Sequence, residues 1–300
     1  MVKECNKNRA DVLGDRMKRY EAQTTGATLM PNTPVYARID GRAFHTLTRG
    51  LQKPFDPVFN TIMHTTCYKL VEETGAILGY VQSDEISLGW EDFSKAPFEG
   101  KLFKLESVLS SMATAAFYQG IIAFCQKSSM GDMADELDDK SVQLLFEKAT
   151  HGLVSFDCRI FNLPNMEELA NAFIWRENDA VRNSISSLAQ ANFSHKQLQG
   201  KSASDMTTML IMEKGINWDS LPSVLKRGMY LQKENYMEYI PDEIWEKIPE
   251  KKRPEDRNCI RSRVVERDFP IMRKIENKVD TYFYKKPPIM LDNATGAVLY

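Results

Sequence analysis

Between residues 35 and 90 the apolar pattern changes period repeatedly, and the order of those changes restricts the fold more than anything else in the chain. Val35-Tyr36-Ala37-Arg38-Ile39 is a strand-like run that ends in Asp40-Gly41-Arg42. Phe59, Ile62, Met63, Cys67, Leu70 and Val71 then recur at helical spacing as one stripe, which predicts a helix packed on a sheet. Asp56 is placed to cap that helix, Pro57 to open it and Gly75 to close it. Residues 77–81 and 86–90 return to strand character, Ile86, Leu88 and Trp90 alternating. Between them stands Gln82-Ser83-Asp84-Glu85. The order is strand, helix, strand, strand, the last two forming a hairpin with two acids at its tip.

If these strands are neighbours in one antiparallel sheet, Asp40 meets Asp84 and Glu85 in space. Three converging carboxylates repel one another and are tolerable when a divalent cation neutralises them. Oxygen ligands favour magnesium, which keeps several waters and binds substrate phosphates. Two such ions, about 3.5–4 Å apart, would clamp the attacking and leaving oxygens of a phosphoryl-type displacement. Gly41 would leave room for a triphosphate and offer its carbonyl. Acid pairs at hairpin tips are also commonly plain solvated turns, so the pattern alone leaves both readings open.

The rest of the chain predicts an α+β fold: a palm-like, ferredoxin-like βαββ antiparallel sheet with packed helices, followed by a mainly helical C-terminal part. Helices are expected over 10–22, 101–126 and 166–193, and a strand over 153–161, stopped by Pro164. From residue 240 onward Pro241, Pro249 and Pro254 and the cluster Lys251-Lys252-Arg253 predict irregular structure with short strands. The expected division is a palm-like catalytic half over 1–135, a C-terminal half over 136–240 and a partly basic tail over 241–300. Lys plus Arg is 39 and Asp plus Glu 41, so RNA binding would rest on local patches rather than on net charge. The five cysteines, Cys5, Cys67, Cys125, Cys158 and Cys259, contain no C-x-x-C pair, which argues against a zinc or disulfide framework and for a reducing, cytoplasmic setting. The N-terminus is polar, and apolar runs such as 120–124 are too short to span a bilayer.

Arg38-Ile39-Asp40-Gly41-Arg42-Ala43-Phe44-His45 and Gln82-Ser83-Asp84-Glu85-Ile86-Ser87 resemble the two signature motifs of the tRNA-His guanylyltransferase family. Phe156-Asp157-Cys158-Arg159, Trp175-Arg176 and Lys226-Arg227-Gly228 are among several further stretches similar to that family, in its order, from about residue 12 to 230. The resemblance implies a palm-like enzyme that adds nucleotides to the 5′ end of tRNA, in the 3′–5′ direction, with ATP and GTP as substrates and a homotetrameric assembly. Asp40, Gly41 and Asp84 would hold two magnesium ions, with Glu85 as a third catalytic acid. Asp40, Gly41, Arg42, Ala43, Phe44, His45, Ser83 and Asp84 would line the nucleotide.

Lys53, Lys101 and Lys104, and Arg182, His195 and Lys196, are candidate phosphate or tRNA contacts, their plain alternative being a solvated basic surface. Eukaryotic members carry a His-x-Asn-Asn motif on the long helix, where this chain has Val181. That is similar to bacterial-type members, some of which are template-dependent polymerases repairing truncated tRNA 5′ ends. The competing readings are therefore GMP addition to tRNA-His, templated repair, and, in another class, a non-catalytic RNA-binding module.

Overall fold

The computed structural model describes residues 12–93, 97–130, 139–291 and 298–299; Cys5 and the polar N-terminus lie outside them. The elements in chain order are α1 (Val12–Thr25), β1 (Val35–Gly41), α2 (Phe44–Leu47), α3 (Pro57–Thr74), β2 (Leu78–Gln82), β3 (Glu85–Trp90), α4 (Leu102–Met130), α5 (Asp139–Thr150), β4 (Phe156–Asn162), α6 (Met166–Asn192), α7 (His195–Leu198), α8 (Ala203–Lys214), α9 (Ser223–Arg227), β5 (Met229–Tyr239), α10 (Asp242–Trp245), β6 (Asn258–Arg267), α11 (Lys278–Tyr284), β7 (Met290–Leu291) and β8 (Val298–Leu299).

β1 to β6 form one sheet in the order β4-β1-β3-β2-β5-β6, with every neighbouring pair antiparallel. Its first four strands, with α3 after β1 and α4 and α5 after β3, are the predicted ferredoxin-like palm. Local chemistry sets the helix ends as the sequence implies. Asp56 Oδ1 accepts the Phe59 N–H at 2.9 Å to open α3, and Gly75 closes it at φ 70°.

Both faces of the sheet are covered, which is why β2 and β3 are buried along their whole length. Val35, Ala37, Ile39, Ile86 and Leu88 pack in one core with Ile62 and Leu70 of α3 and Leu109 and Phe117 of α4. On the opposite face Tyr36, Leu78 and Tyr80 pack with Leu169 and Phe173 of α6 and Tyr282 of α11. Each such large side chain withdrawn from water contributes about 1.5–3 kcal/mol. A smaller core joins α8 to the end of α6 through Leu188, Phe193 and Leu210.

Two expectations are corrected here. The region after residue 240 contains the ten-residue β6, paired along its length with β5, and strands from all three expected segments share the one sheet. This ribbon escapes a hydrophobic-pattern search because charge holds much of it: Glu234 accepts from Arg263 and Arg267, and Glu238 from Arg261. The prolines sit in the connection before β6 rather than in it. Second, residues Leu102–Ser129 of α4 form a helix long and apolar enough to cross a membrane by length and composition. Its Leu105, Leu109, Ala113, Phe117, Ile121 and Phe124 face the palm core.

Gly228 joins α9 to β5 at φ 77°, and a Cβ there would lie 2.6 Å from the Val81 carbonyl oxygen and 2.8 Å from the Tyr80 ring. Gly228→Ala is therefore expected to lower stability by about 2–4 kcal/mol in urea denaturation. Gly152→Ala shares the positive φ (72°) but meets nothing within 4 Å, and should cost about 1 kcal/mol.

Candidate active site

The register of the sheet builds the site row by row. Asp40 of β1 is paired with Glu85 of β3 on one side and with Asp157 of β4 on the other. Directly paired residues of antiparallel strands point to the same face, so these three acids form one row on the α6 face. One step along the strands, the next row is Arg159, Arg38 and Ser87. Asp84 lies in the two-residue hairpin tip, where Ser83 takes φ 48° and the Asp84 carbonyl accepts the Gly41 N–H at 3.0 Å. That bond ties the tip to the end of β1.

Electrostatics separates the acids into two kinds. Burial raises the pKa of Asp40, and the charges of Asp84 and Asp157 raise it further. Burial also raises that of Asp84, against a hydrogen bond from Ser83 and the nearby His45, which favour the charged form. Glu85 is pushed up to about 7 by burial, opposed by Arg176. Its carboxylate accepts Arg176 Nε at 2.5 Å, with Arg38 Nε further off at 3.9 Å. Arg176, on α6, is buried as well and reaches Asp179 at 3.0 Å. Glu85 is thus committed to an ion pair inside the protein, while among the described residues Asp40 and Asp84 share an anionic site and form no such pair.

The loop after Asp40 is fixed from beneath. Phe44, predicted as a nucleotide contact, is 2% exposed, and its ring packs among Phe59, Phe117 and Phe156 with centroids 5.0–6.1 Å apart. The ring lies so close under Gly41 that a Cβ there would be 2.5 Å from it. Glycine is required for that approach, and the Phe44 side chain is a buried anchor rather than a ligand contact. Lys148 of α5 donates to the carbonyls of Thr46 at 3.1 Å and Leu47 at 2.8 Å, and to that of Arg49, closing α2. Ala43, in the left-handed region at φ 57°, and His45 remain exposed above this base.

A cleft of about 180 Å³ opens beside the hairpin tip. Its walls are Lys53, Asn60 and His64 from around α3, Gln82 and Ser83 at the tip, Asn183 and Ser184 of α6 and Lys226 of α9. Of the predicted phosphate contacts, Lys53 lines it. Lys101 pairs with Glu99 at 3.0 Å and Lys104 lies 4.6 Å over the Phe98 ring, both away from the cleft. Arg182 pairs with Asp179 at 2.8 Å, and His195 and Lys196 are exposed on α7. Arg42 donates to Ser155 Oγ at 3.0 Å.

Known proteins agree with this architecture. The model of the tRNAHis guanylyltransferase family matches residues 14–164. A bacterial tRNA(His) guanylyltransferase-like protein solved with ATP is 36% identical, covering 91% of this chain and 100% of its own, with a TM-score of 0.67. The chain belongs to the tRNAHis guanylyltransferase family. A bacterial tRNA(His) guanylyltransferase-like protein solved with GTP is 34% identical over the same shares, with a TM-score of 0.64. The tRNA(His) guanylyltransferase of Schizosaccharomyces pombe is 27% identical over 225 residues, 71% of this chain and 77% of that one.

Within this family member, two residues of the site escaped the motif reading as functional groups. Asp157 has its signal in the pairing of β4 with β1, which a run of residues does not display. Arg176 stands in the Trp175-Arg176 pair, but its contact with Glu85 crosses 91 positions. Among the described residues no three His, Cys, Asp or Glu side chains form a complete metal cage. Two carboxylates that form no ion pair among the described residues fit an ion that takes its remaining ligands from water and phosphate, as magnesium does. Glu85, held by Arg176, is not available as a third ligand in this arrangement.

Arg176→Met should cost about 3–5 kcal/mol in urea denaturation, because it leaves buried Glu85 with only the more distant Arg38. Adding Glu85→Gln should recover a large part of that loss, giving a coupling energy in the double-mutant cycle. A second expectation concerns His64, whose pKa burial lowers from 6.5 to about 4. Between those values the folded state binds fewer protons than the unfolded one. The stability from a neutral His64 is complete above about 6.5 and lost as pH falls through about 4. His64→Gln should flatten the acid limb of stability against pH by up to about 1.4 kcal/mol per pH unit, measured by denaturation across that window.

Proposed function

We propose that this protein is a magnesium-dependent nucleotidyltransferase that adds GMP to the 5′ end of tRNA-His, extending the chain in the 3′–5′ direction. The observation that carries this is the adjacent pair of acids Asp40 and Asp84, whose charged forms are penalised by burial, at the end of a palm sheet beside a polar cleft. The bacterial proteins solved with ATP and with GTP support triphosphates of both kinds as substrates.

In this reading the cleft receives the nucleoside triphosphate. The neutral donors and acceptors of Asn60, His64 and Gln82 face the base, and Lys53 and His45 face phosphate. A 5′-phosphate oxygen of the RNA attacks the α-phosphorus of ATP and pyrophosphate leaves. The 3′-hydroxyl of GTP then attacks the activated 5′ phosphorus and AMP leaves. Magnesium, held by Asp40 and Asp84 with the Gly41 backbone, would supply neutralisation of the charge that develops on the phosphoryl oxygens. The chain's own contribution is placement. The Gly41–Asp84 backbone bond holds the two acids together, and the Phe44 and Lys148 anchors keep the loop from yielding to phosphate repulsion. A homotetramer, part of the same reading, would cover apolar side chains of α1 that stand exposed, Leu13, Met17 and Tyr20.

One observation favours a second reading, templated repair of truncated tRNA. The position of the eukaryotic motif histidine is occupied by Val181, half-buried in a groove beside Trp218 and Ile271. Valine offers no hydrogen bond for selecting one nucleotide identity.

The two readings separate in one assay. Monophosphorylated tRNA-His without its extra guanosine, and a tRNA lacking its first paired nucleotide, are incubated with magnesium, ATP and labelled nucleotides. Addition of G to intact tRNA-His is the expected result. Addition to the truncated tRNA alone, following the opposite base, would establish repair, and addition to neither would reject both. Asp40→Asn and Asp84→Asn should each abolish addition. Without divalent ions their melting temperatures should equal or exceed that of the parent, because burial and repulsion penalise the charged acids. Magnesium with GTP should raise the melting temperature of the parent alone.

A further inference from the structure

On the face of the sheet that carries the acid row, α6 packs against β1, Phe173 against Tyr36, while side chains of the neighbouring β4 edge stay open to solvent. On that edge Arg159 and Phe161 are exposed and Asp157 is half-exposed. Arg159 is paired in register with Arg38 of β1. Like charges directly opposite on a sheet repel, and among the described residues each finds its carboxylate only at 3.9 Å, Asp157 for Arg159 and Glu85 for Arg38. Beside them stands Trp175. Its ring has the Arg176 guanidinium at 4.6 Å and that of Arg38 at 5.3 Å, yet the residue is 49% exposed. A large aromatic side chain held in place by two guanidiniums and still open to solvent is a pre-ordered stacking surface.

We propose that this strip is the seat of the unpaired 5′ end of the RNA: a terminal base stacks on Trp175, Arg159 with Arg38 behind it takes backbone phosphate, and the 5′ phosphate is thereby presented at Asp40 and Asp84. The inference rests on the reading of the protein as a 5′-end nucleotidyltransferase and names where its RNA lies. The topology supports it. In the order β4-β1-β3-β2-β5 the cleft is lined by Val81 and Gln82 of β2, whereas Arg159 and Phe161 of the strip are on β4 and Arg38 is on β1 next to them. The arginine row is two residues, about 7 Å, along β1 from Asp40. In the first transfer the RNA 5′ phosphate is the attacking group and the pyrophosphate of ATP the leaving group, which stand on opposite sides of the α-phosphorus, so RNA and triphosphate need separate surfaces about the acids. The net charge of −2 excludes a general attraction for RNA. A local pairing of guanidinium and aromatic groups is the chemistry that binds single-stranded ends.

The test uses the full chain and a hairpin RNA with a short unpaired, monophosphorylated 5′ end. Titrating the RNA should quench tryptophan fluorescence, and Trp175→Phe should remove most of that change. Trp175→Ala and Arg159→Ala should each weaken RNA binding about tenfold and raise the KM for RNA in proportion, leaving the KM for GTP unaltered. Arg159→Ala should also lower the salt slope of binding by about one ion. Unchanged RNA affinity in both alanine variants would overturn the proposal. So would an equal Trp175 quench by inorganic triphosphate alone, which would make the strip a nucleotide phosphate site. Parent protein that binds the RNA through Trp175 but adds nothing to it supports the seat and rejects the enzymatic reading. Parent protein that adds nucleotides while both variants match it rejects the seat alone.

Discussion

The pairing of β1 with β3 and β4 is the constraint on which the site depends, because it forces Asp157, Asp40 and Glu85 into one row on one face. Such a row opposes folding through repulsion and desolvation. The protein resolves the conflict unevenly. Glu85, deepest of the three, is answered by Arg176 from α6, whose other side is engaged by Asp179. Asp157, at the sheet edge, keeps contact with solvent. Asp40 is left between them and shares its surroundings with Asp84 from the hairpin tip. The carboxylates that remain unanswered are those for which a phosphate-bound cation has a use.

The same economy explains why α6 belongs to the site although it carries neither signature motif. Its Phe173 lies against the sheet and its Arg176 neutralises Glu85. One turn further on, Ala180, Asn183 and Ser184 form a wall of the cleft. α9 supplies another wall through Lys226, and Gly228 allows the chain to pass within contact of Val81 and Tyr80 before entering β5. The helical C-terminal part therefore does not sit beside the palm as a separate unit. It completes the cleft and contributes two strands to the palm's own sheet.

Family membership sharpens this picture without replacing it. The loop from Gly41 to Leu47 is rigid for reasons internal to this chain: the Phe44 ring beneath it and the Lys148 ammonium at its end. Phe44 shows how a motif residue can be essential to a site it does not touch, since its ring supports the backbone that a ligand would meet. Val181 leaves the groove beside Trp218 and Arg227 without a hydrogen-bonding side chain at that position.

Sequence by itself determined what depends on neighbours along the chain. The period changes predicted β1, α3 and the β2–β3 hairpin, and the capping residues Asp56 and Gly75 placed the ends of α3, because hydrogen bonds and side-chain direction within a few residues control those features. The acids at strand ends were legible for the same reason. Tertiary structure alone decided which acid would be free and which paired. The Glu85–Arg176 contact, the Asp40–Asp157 register and the stacking of Arg38 on Trp175 join residues from different elements, and no local periodicity encodes their meeting. The β5–β6 ribbon was hidden for a related reason: much of its pairing is by charge between distant positions, so its strands lack the apolar alternation that announces a half-buried sheet.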